Sequence, residues 1–159
     1  MPKPDDKDIL RIIDVNLNRL CEGLRVCEDI VRFILNNAYF TKALKSVRHK
    51  VQRVISSSKI RKIPLCVSRD VKLDVGTKYD RLEERKSWES IFFANMQRSK
   101  ESVRVLEEFF KLFDKKTAES FKGLRFEIYD FEKKVIESSQ ALSDNKCCSR
   151  PKAAAGKYK

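Results

Sequence analysis

The chain is 159 residues long and carries a formal net charge of +12, with 42% hydrophobic and 36% charged residues. No apolar run approaches the roughly 18 residues that a membrane span requires, which excludes a membrane-spanning class. Residues 1–8 lack the apolar core of a signal peptide, so we expect one soluble cytoplasmic domain without a membrane partner. The charge favours anionic partners, namely nucleotides, phosphorylated metabolites or nucleic acid. The five cysteines are an odd number, which argues against a disulfide framework. Their spacing is not that of zinc ligands.

The first predicted elements in chain order are two helices that form a hairpin. Apolar residues recur at helical spacing along one face of the first helix, and no breaker interrupts them before Asn36 and Asn37. The apolar positions are Leu17, Leu20, Leu24, Cys27, Val31 and Leu35, and the opposite polar stripe is Asn18, Glu22, Arg25, Asp29 and Arg32. A second helix is predicted over about residues 40–56.

The chain then repeats this hairpin. Residues 95–108 match residues 16–29 at an offset of 79, and residues 121–128 match residues 44–51 at an offset of 77. The identical pairs of the first block are Asn16/Asn95, Arg19/Arg98, Glu22/Glu101, Arg25/Arg104, Val26/Val105 and Glu28/Glu107. Helices are predicted over about residues 91–113 and 118–140. The change in offset predicts that the turn of the second hairpin is two residues shorter.

These patterns predict an all-α fold, a helical bundle of two pseudo-symmetric helical hairpins joined by a long central loop. We expect one helical domain over residues 8–140, with repeat 1 over about 9–56, a linker loop over 57–77 and repeat 2 over about 87–140. Residues 141–159 are predicted to be a basic disordered tail. The linker includes a short β-like run at residues 63–67. A linker of this length is often functional.

Phosphate recognition in this chain must rely on arginines and helix ends, because four scattered glycines cannot build a glycine-rich phosphate loop. Each copy places an asparagine, an arginine and a small residue along one border of its apolar stripe. These positions are Asn16, Arg19 and Gly23 in the first copy and Asn95, Arg98 and Ser102 in the second. Two interpretations stay open: each arginine pairs with a carboxylate such as Glu22 or Glu101, or it binds an anion. The small residue is expected to leave room beside the arginine.

The central loop contains the sharpest candidate site. Asp70 and Asp74 offer carboxylates, and Thr77 offers a hydroxyl, which are suitable ligands for Mg²⁺ together with substrate phosphates. Arg69 is placed to hold a phosphate. The same residues also suit a capped turn before the next helix, because Asp and Gly are common in turns and Thr caps helices. Spacing alone does not separate these two interpretations.

Three motifs together resemble a known family. They are R-I-I-D-x-N-x-N-R-x-x-E-G-L-R-V-x-E-D at residues 11–29, S-R-D-V-x-x-D-V-G-T at residues 68–77, and N-x-x-R-x-x-E-x-x-R-V-L-E-E at residues 95–108. Over about residues 9–137 the chain resembles a helical domain of bacterial thiamine biosynthesis. That domain is often fused in front of thiamine-phosphate synthase and is associated with a monofunctional hydroxymethylpyrimidine phosphate kinase. The synthase barrel does not fit into 159 residues, so we do not expect synthase activity of this chain.

The resemblance implies an ATP-dependent kinase that converts hydroxymethylpyrimidine phosphate to its diphosphate, with ATP and Mg²⁺ as cofactors. Such a reaction needs positioning, Mg²⁺ and positive charge around the transferred group. As a hypothesis, Asp70 and Asp74 hold Mg²⁺ or orient the attacking phosphate, with Arg69 as a further catalytic residue. The phosphate- and substrate-binding residues are then Asn16, Arg19, Asn95, Arg98, Glu22, Glu101 and Thr77, with the arginines on phosphates and the asparagines on polar edges of the substrate.

Two non-enzymatic functions are alternatives to the kinase. A basic module could bind nucleic acid through Lys42, Lys45, Arg48, Lys50 and Arg53, but no aromatic platform interleaves these residues, so nucleic acid is not the expected partner. A scaffold for another thiamine-pathway protein would expose a large apolar patch. Whether the chain forms a homo-oligomer stays open.

Overall fold

The computed structural model of the chain describes residues 6–58, 60, 62–69 and 84–148. Within these ranges the chain forms five helices and no strand, which confirms the predicted all-α fold class. The helices are α1 (Asp6–Asp29), α2 (Ala38–Ser57), α3 (Lys62–Val67), α4 (Trp88–Phe110) and α5 (Lys115–Cys148). No helix in the described ranges has an apolar stretch of the length needed to cross a membrane.

Four of the helices surround one core. Helix α1 packs against α4 and α2, and α5 packs against the same two helices, while the short α3 lies against α1. Helices α1 and α4 are antiparallel, because Gly23 lies beside Ser99 whereas Cys27, one turn further on, contacts the carbonyl of Phe92. Burial of the predicted apolar faces fills the centre with Leu20, Leu24, Cys27, Met96, Val103, Leu106, Phe110 and Phe121. Burial also raises the pKa of the Cys27 thiol to about 12, so Cys27 acts as a small core residue.

The two hairpin turns differ as the change in sequence offset predicts. Asn37 accepts a hydrogen bond from the amide of Phe40 and caps α2, and Asp114, 77 residues later, accepts one from the amide of Lys116 at the start of α5. The first turn begins with a π-helical turn, Ile30–Ile34, which continues α1. Asn36 then adopts a positive φ of 51°, which asparagine tolerates better than most residues.

The connection between the copies contains a helix where we predicted a β-like run. Residues 62–67 form α3, so that prediction is wrong. Pro64 is compatible with the helix because it occupies the first turn, where an amide has no partner within the helix. Leu65 is only 3% exposed, and its burial holds α3 on the bundle.

Helix α5 is longer than the sequence pattern indicated. It continues to Cys148, so a disordered tail beginning at residue 141 is wrong for residues 141–148. The physical reason is that the chain contains neither glycine nor proline between Gly123 and Pro151, and nothing in that stretch stops a helix. Residues 149–159, the rest of the predicted tail, lie outside the described residues.

Candidate functional site

The two Asn–Arg pairs lie where α1 and α4 cross closely. A β-carbon on Gly23 would lie 2.5 Å from Ser99 Oγ and 2.8 Å from the carbonyl oxygen of Asn95. Arg19 is one turn before Gly23 on α1, and Arg98 is next to Ser99 on α4. Both arginines are therefore within about one helical turn of the crossing. Gly23 makes room for the backbone of α4, so the expectation that it leaves space beside the arginine is wrong.

Both arginines present exposed guanidinium groups. Neither Arg19 nor Arg98 forms an ion pair or a hydrogen bond with any other residue that the structure describes. The predicted partners are directed elsewhere. Glu101 accepts a hydrogen bond from Gln97 at 2.7 Å, and Glu22 lies at the edge of a cavity of about 420 Å³ on the side where α1 faces α2. The arginines are thus available to an anion as far as the described residues are concerned.

The asparagines of the two pairs are anchored to their own helices. Asn16 Nδ2 donates to the carbonyl of Ile12 at 2.8 Å, and Asn95 Nδ2 donates to the carbonyl of Ile91 at the same distance. The identical contacts at an offset of 79 show that the repeat extends to side-chain geometry. Each contact uses one of the two N–H donors of the amide, so the second N–H and the acceptor Oδ1 are the groups with which either asparagine could contact a ligand.

The Arg–Glu pairing that the sequence leaves open for Arg19 and Arg98 occurs at other duplicated positions. Glu28 is 4% exposed and accepts a hydrogen bond from Arg48 Nε at 2.9 Å, with Arg25 at 3.6 Å on its other oxygen. Its counterpart Glu107, also 4% exposed, accepts bonds from Arg125 Nε and Arg104 Nη1, each at 2.8 Å. Each copy thus ties its two helices together through one buried carboxylate between two arginines. The identities at these positions were visible in the sequence, but their cross-helix partners were not.

The ionisation of Glu107 reflects this clamp. Burial by itself raises the pKa of the carboxyl, but the hydrogen bonds from Arg125 and Arg104 outweigh burial, and the net pKa lies below its ordinary value. Glu107 is therefore charged at neutral pH. An ion pair within the predicted polar stripe also stabilises α4, where Arg104 Nη2 pairs with Glu108 at 2.7 Å, one turn further on.

Arg69, predicted to be catalytic, is held by Asp14, which the sequence patterns do not single out. Arg69 Nε donates to Asp14 Oδ2 at 2.5 Å and Nη2 donates to Oδ1 at 3.0 Å. Asn18 Nδ2 adds a longer bond to Asp14 Oδ2 at 3.3 Å. The only signal in the sequence is an acid inside the first motif, between the apolar residues Ile13 and Val15.

The other predicted catalytic residues, Asp70, Asp74 and Thr77, lie outside the described residues. Among the residues that are described, no group of three histidine, cysteine or acidic side chains could hold a metal ion. That Asp70 and Asp74 hold Mg²⁺ stays a prediction.

Comparison with known proteins agrees with the motifs. The sequence profile of the ThiD2 family matches residues 11–134. The chain belongs to the ThiD2 family. ThiD2-like segments occur in longer proteins: a thiamine-phosphate synthase of Nostoc punctiforme is 36% identical over 130 residues, which are 80% of this chain and 35% of that protein.

A thiamine-phosphate synthase of Rhodopirellula baltica is 34% identical over 131 residues, 81% of this chain and 34% of its own length. This ThiD2-family chain thus spans about one third of the curated relatives that it matches. No solved structure gives a significant match.

Proposed function

We propose that this ThiD2-family chain acts in thiamine biosynthesis and transfers the γ-phosphoryl group of ATP to hydroxymethylpyrimidine phosphate. Two exposed arginines near the α1–α4 crossing, Arg19 and Arg98, carry the proposal. Both lack a carboxylate partner among the described residues, and both come from the duplicated motif of the family. A pair of unpaired guanidinium groups is suited to binding the phosphates of two substrates.

The reaction demands little of the protein beyond positioning and charge. A phosphate oxygen of the pyrimidine monophosphate attacks the γ-phosphorus of ATP, the bond to the β-phosphate oxygen breaks, and ADP leaves. In this proposal Arg19 and Arg98 neutralise phosphate charge and Arg69 approaches the transferred group. Mg²⁺ held by Asp70 and Asp74 would supply further positive charge when bound.

The name of the relatives describes longer proteins. Both relatives named above are called thiamine-phosphate synthase, but this chain matches only about a third of each. We therefore propose the kinase step for the matched segment and assign no synthase step to it.

The deciding experiment supplies the folded chain with ATP, Mg²⁺ and hydroxymethylpyrimidine phosphate and follows the diphosphate by ³¹P NMR. We expect stoichiometric formation of ADP and the pyrimidine diphosphate. A second reaction supplies the diphosphate with thiazole phosphate, and we expect no thiamine phosphate. A folded wild-type chain that consumes no ATP in the presence of the pyrimidine phosphate would refute the kinase proposal.

The nucleic-acid alternative has less support in the structure. Two of its five proposed contacts are already engaged, because Arg48 pairs with Glu28 and Lys50 with Glu127. Each of these pairs reduces the local excess of positive charge that phosphate-backbone binding requires. We do not propose nucleic acid as a partner.

The scaffold alternative has one specific observation in its favour. Phe33, Ile34 and Tyr39, at the turn between α1 and α2, are 66%, 52% and 66% exposed. Exposed apolar clusters often mark binding surfaces. Co-elution of the chain with a thiamine-phosphate synthase, lost in a variant that combines Phe33→Ser with Ile34→Ser, would support this second function. Separate elution of the two wild-type proteins would count against it.

A further inference from the structure

Asp14 is a buried acid whose only described ionic partner is Arg69. Its side chain is 9% exposed, and both of its oxygens accept hydrogen bonds from that one guanidinium, at 2.5 Å and 3.0 Å. The Arg69 side chain is 47% exposed. A short two-bond contact between a planar guanidinium and a buried carboxylate fixes the orientation of the arginine more strictly than a single bond would.

The contact leaves most of the donors of Arg69 unused. It engages Nε and one N–H of Nη2, whereas a guanidinium has five N–H donors. No other residue in the described part of the chain accepts from the remaining three donors, two of them on Nη1, so they are available to another anion. The hydrogen bond from Arg69 to Asp14 also raises the pKa of the guanidinium, so the arginine keeps its charge. Pairing with Asp14 therefore prepares Arg69 for a phosphate rather than occupying it.

The internal repeat shows that the fold does not require an acid at this position. The offset of 79 aligns Asp14 of the first copy with Phe93 of the second, and Phe93 is a half-exposed aromatic residue. By contrast, the structural clamp at Glu28 recurs at Glu107 with both arginines. A buried acid found in only one copy, and joined to the residue directly before Asp70, is better explained by the chemistry of the site than by the stability of the bundle.

We propose that Asp14 is a positioning residue, which rests on the proposed function: its two hydrogen bonds to Arg69 aim the remaining guanidinium donors at a phosphate group of a bound substrate. Asp14 itself does not touch the substrate.

The test uses Asp14→Asn, Arg69→Ala, the double variant, and Glu28→Gln as a matched control. Glu28 is also a buried acid of α1 that accepts from an arginine Nε. We expect Asp14→Asn to raise the KM for ATP or the pyrimidine phosphate about tenfold, and to add nothing on the Arg69→Ala background. Glu28→Gln should lower the melting temperature and leave both KM values unchanged. Equal effects of Asp14→Asn with and without Arg69 would overturn the proposal.

A binding measurement separates this proposal from the kinase proposal. Calorimetry with ATP and Mg²⁺, and separately with hydroxymethylpyrimidine phosphate, is carried out on the same four variants and the wild type. If the wild type binds either ligand without turnover, the kinase proposal fails, and weaker binding of that ligand by Asp14→Asn still supports the positioning role. Wild-type affinity for both ligands in a folded Asp14→Asn variant overturns the positioning role, as does a wild type that binds neither ligand. Should Asp14→Asn not fold, Arg69→Ala removes the other partner of the contact, and its unchanged affinity would equally overturn it.

Discussion

Gly23 of α1 faces the carbonyl oxygen of Asn95 in α4 so closely that a β-carbon on Gly23 would lie 2.8 Å from that oxygen. The contact sets the separation of the two central helices. Ser99 Oγ, which would be 2.5 Å away, could rotate, but a backbone carbonyl cannot move without moving its helix.

The first prediction concerns this crossing. Gly23→Ala is expected to lower the free energy of unfolding by about 1–3 kcal/mol, because the added carbon overpacks the α1–α4 contact. Gly123→Ala on α5 is the matched control, since its β-carbon meets no atom within 4 Å. That substitution is expected to stabilise by about 0.5–1 kcal/mol through helix propensity. Urea unfolding measures the change in unfolding free energy of both variants, and the two changes should have opposite signs. An unchanged unfolding free energy in Gly23→Ala would show that the crossing is not tight.

The second prediction concerns the duplicated clamp. Glu107→Gln is expected to lower the free energy of unfolding by about 1–3 kcal/mol at pH 7. The glutamine amide has only one acceptor oxygen, and its NH2 group would face the N–H donors of either Arg104 or Arg125. Glu119→Gln, at an exposed position of α5, serves as the control and should change stability little. An equal effect of the two substitutions would be inconsistent with a buried clamp.

The pH dependence of this effect follows from the lowered pKa of Glu107. A carboxyl with a depressed pKa in the folded state contributes stability above its unfolded value, near 4.5, and loses it as the pH falls through the folded value. The difference in unfolding free energy between the wild type and Glu107→Gln should therefore be constant near neutral pH and shrink below about pH 4.5. Thermal unfolding from pH 7 to pH 3 measures it, and a difference that grows in acid would contradict the assignment.

The third prediction concerns Arg19 and Arg98. Arg19→Ala and Arg98→Ala should each raise a substrate KM about 10- to 100-fold, because a hydrogen bond to a charged group contributes about 1.5–3 kcal/mol. Neither should change the melting temperature much, since neither arginine has a described partner to lose. Lys45→Ala on α2 removes an equal charge from another exposed surface and should leave both KM values unchanged. Equal losses in all three variants would indicate a general effect of net charge.

The fourth prediction concerns the segment between the copies. Asp70→Asn should lower kcat about 100-fold while the chain stays folded, because it removes a carboxylate proposed to hold Mg²⁺. Asp130→Asn is the control, an exposed acid of α5 that pairs only with Lys134 in the described residues. Activity measured against Mg²⁺ concentration should show a weaker affinity for Mg²⁺, and so a higher concentration for half-maximal activity, only in Asp70→Asn. Normal ATP turnover by this variant would remove Asp70 from the site.

Much of the architecture follows from the sequence because helical periodicity and internal repeats are local signals. The apolar stripe from Leu17 to Leu35 defines the buried face of α1, and the matched blocks predict two hairpins with unequal turns. The helix α3 escaped prediction because a run of four apolar residues and one proline, at residues 63–67, has no clear period. There, burial of Leu65 against the bundle outweighed local preference.

The sequence by itself determined that this chain is helical, duplicated, basic, and marked by three family motifs. Only the tertiary structure decided which charged groups are structural and which stay available. Spacing along a helix relates residues three or four apart, whereas Glu28 meets Arg48, and Asp14 meets Arg69, across 20 and 55 residues. Such pairs depend on how the helices pack against one another, and that packing is a property of the whole bundle.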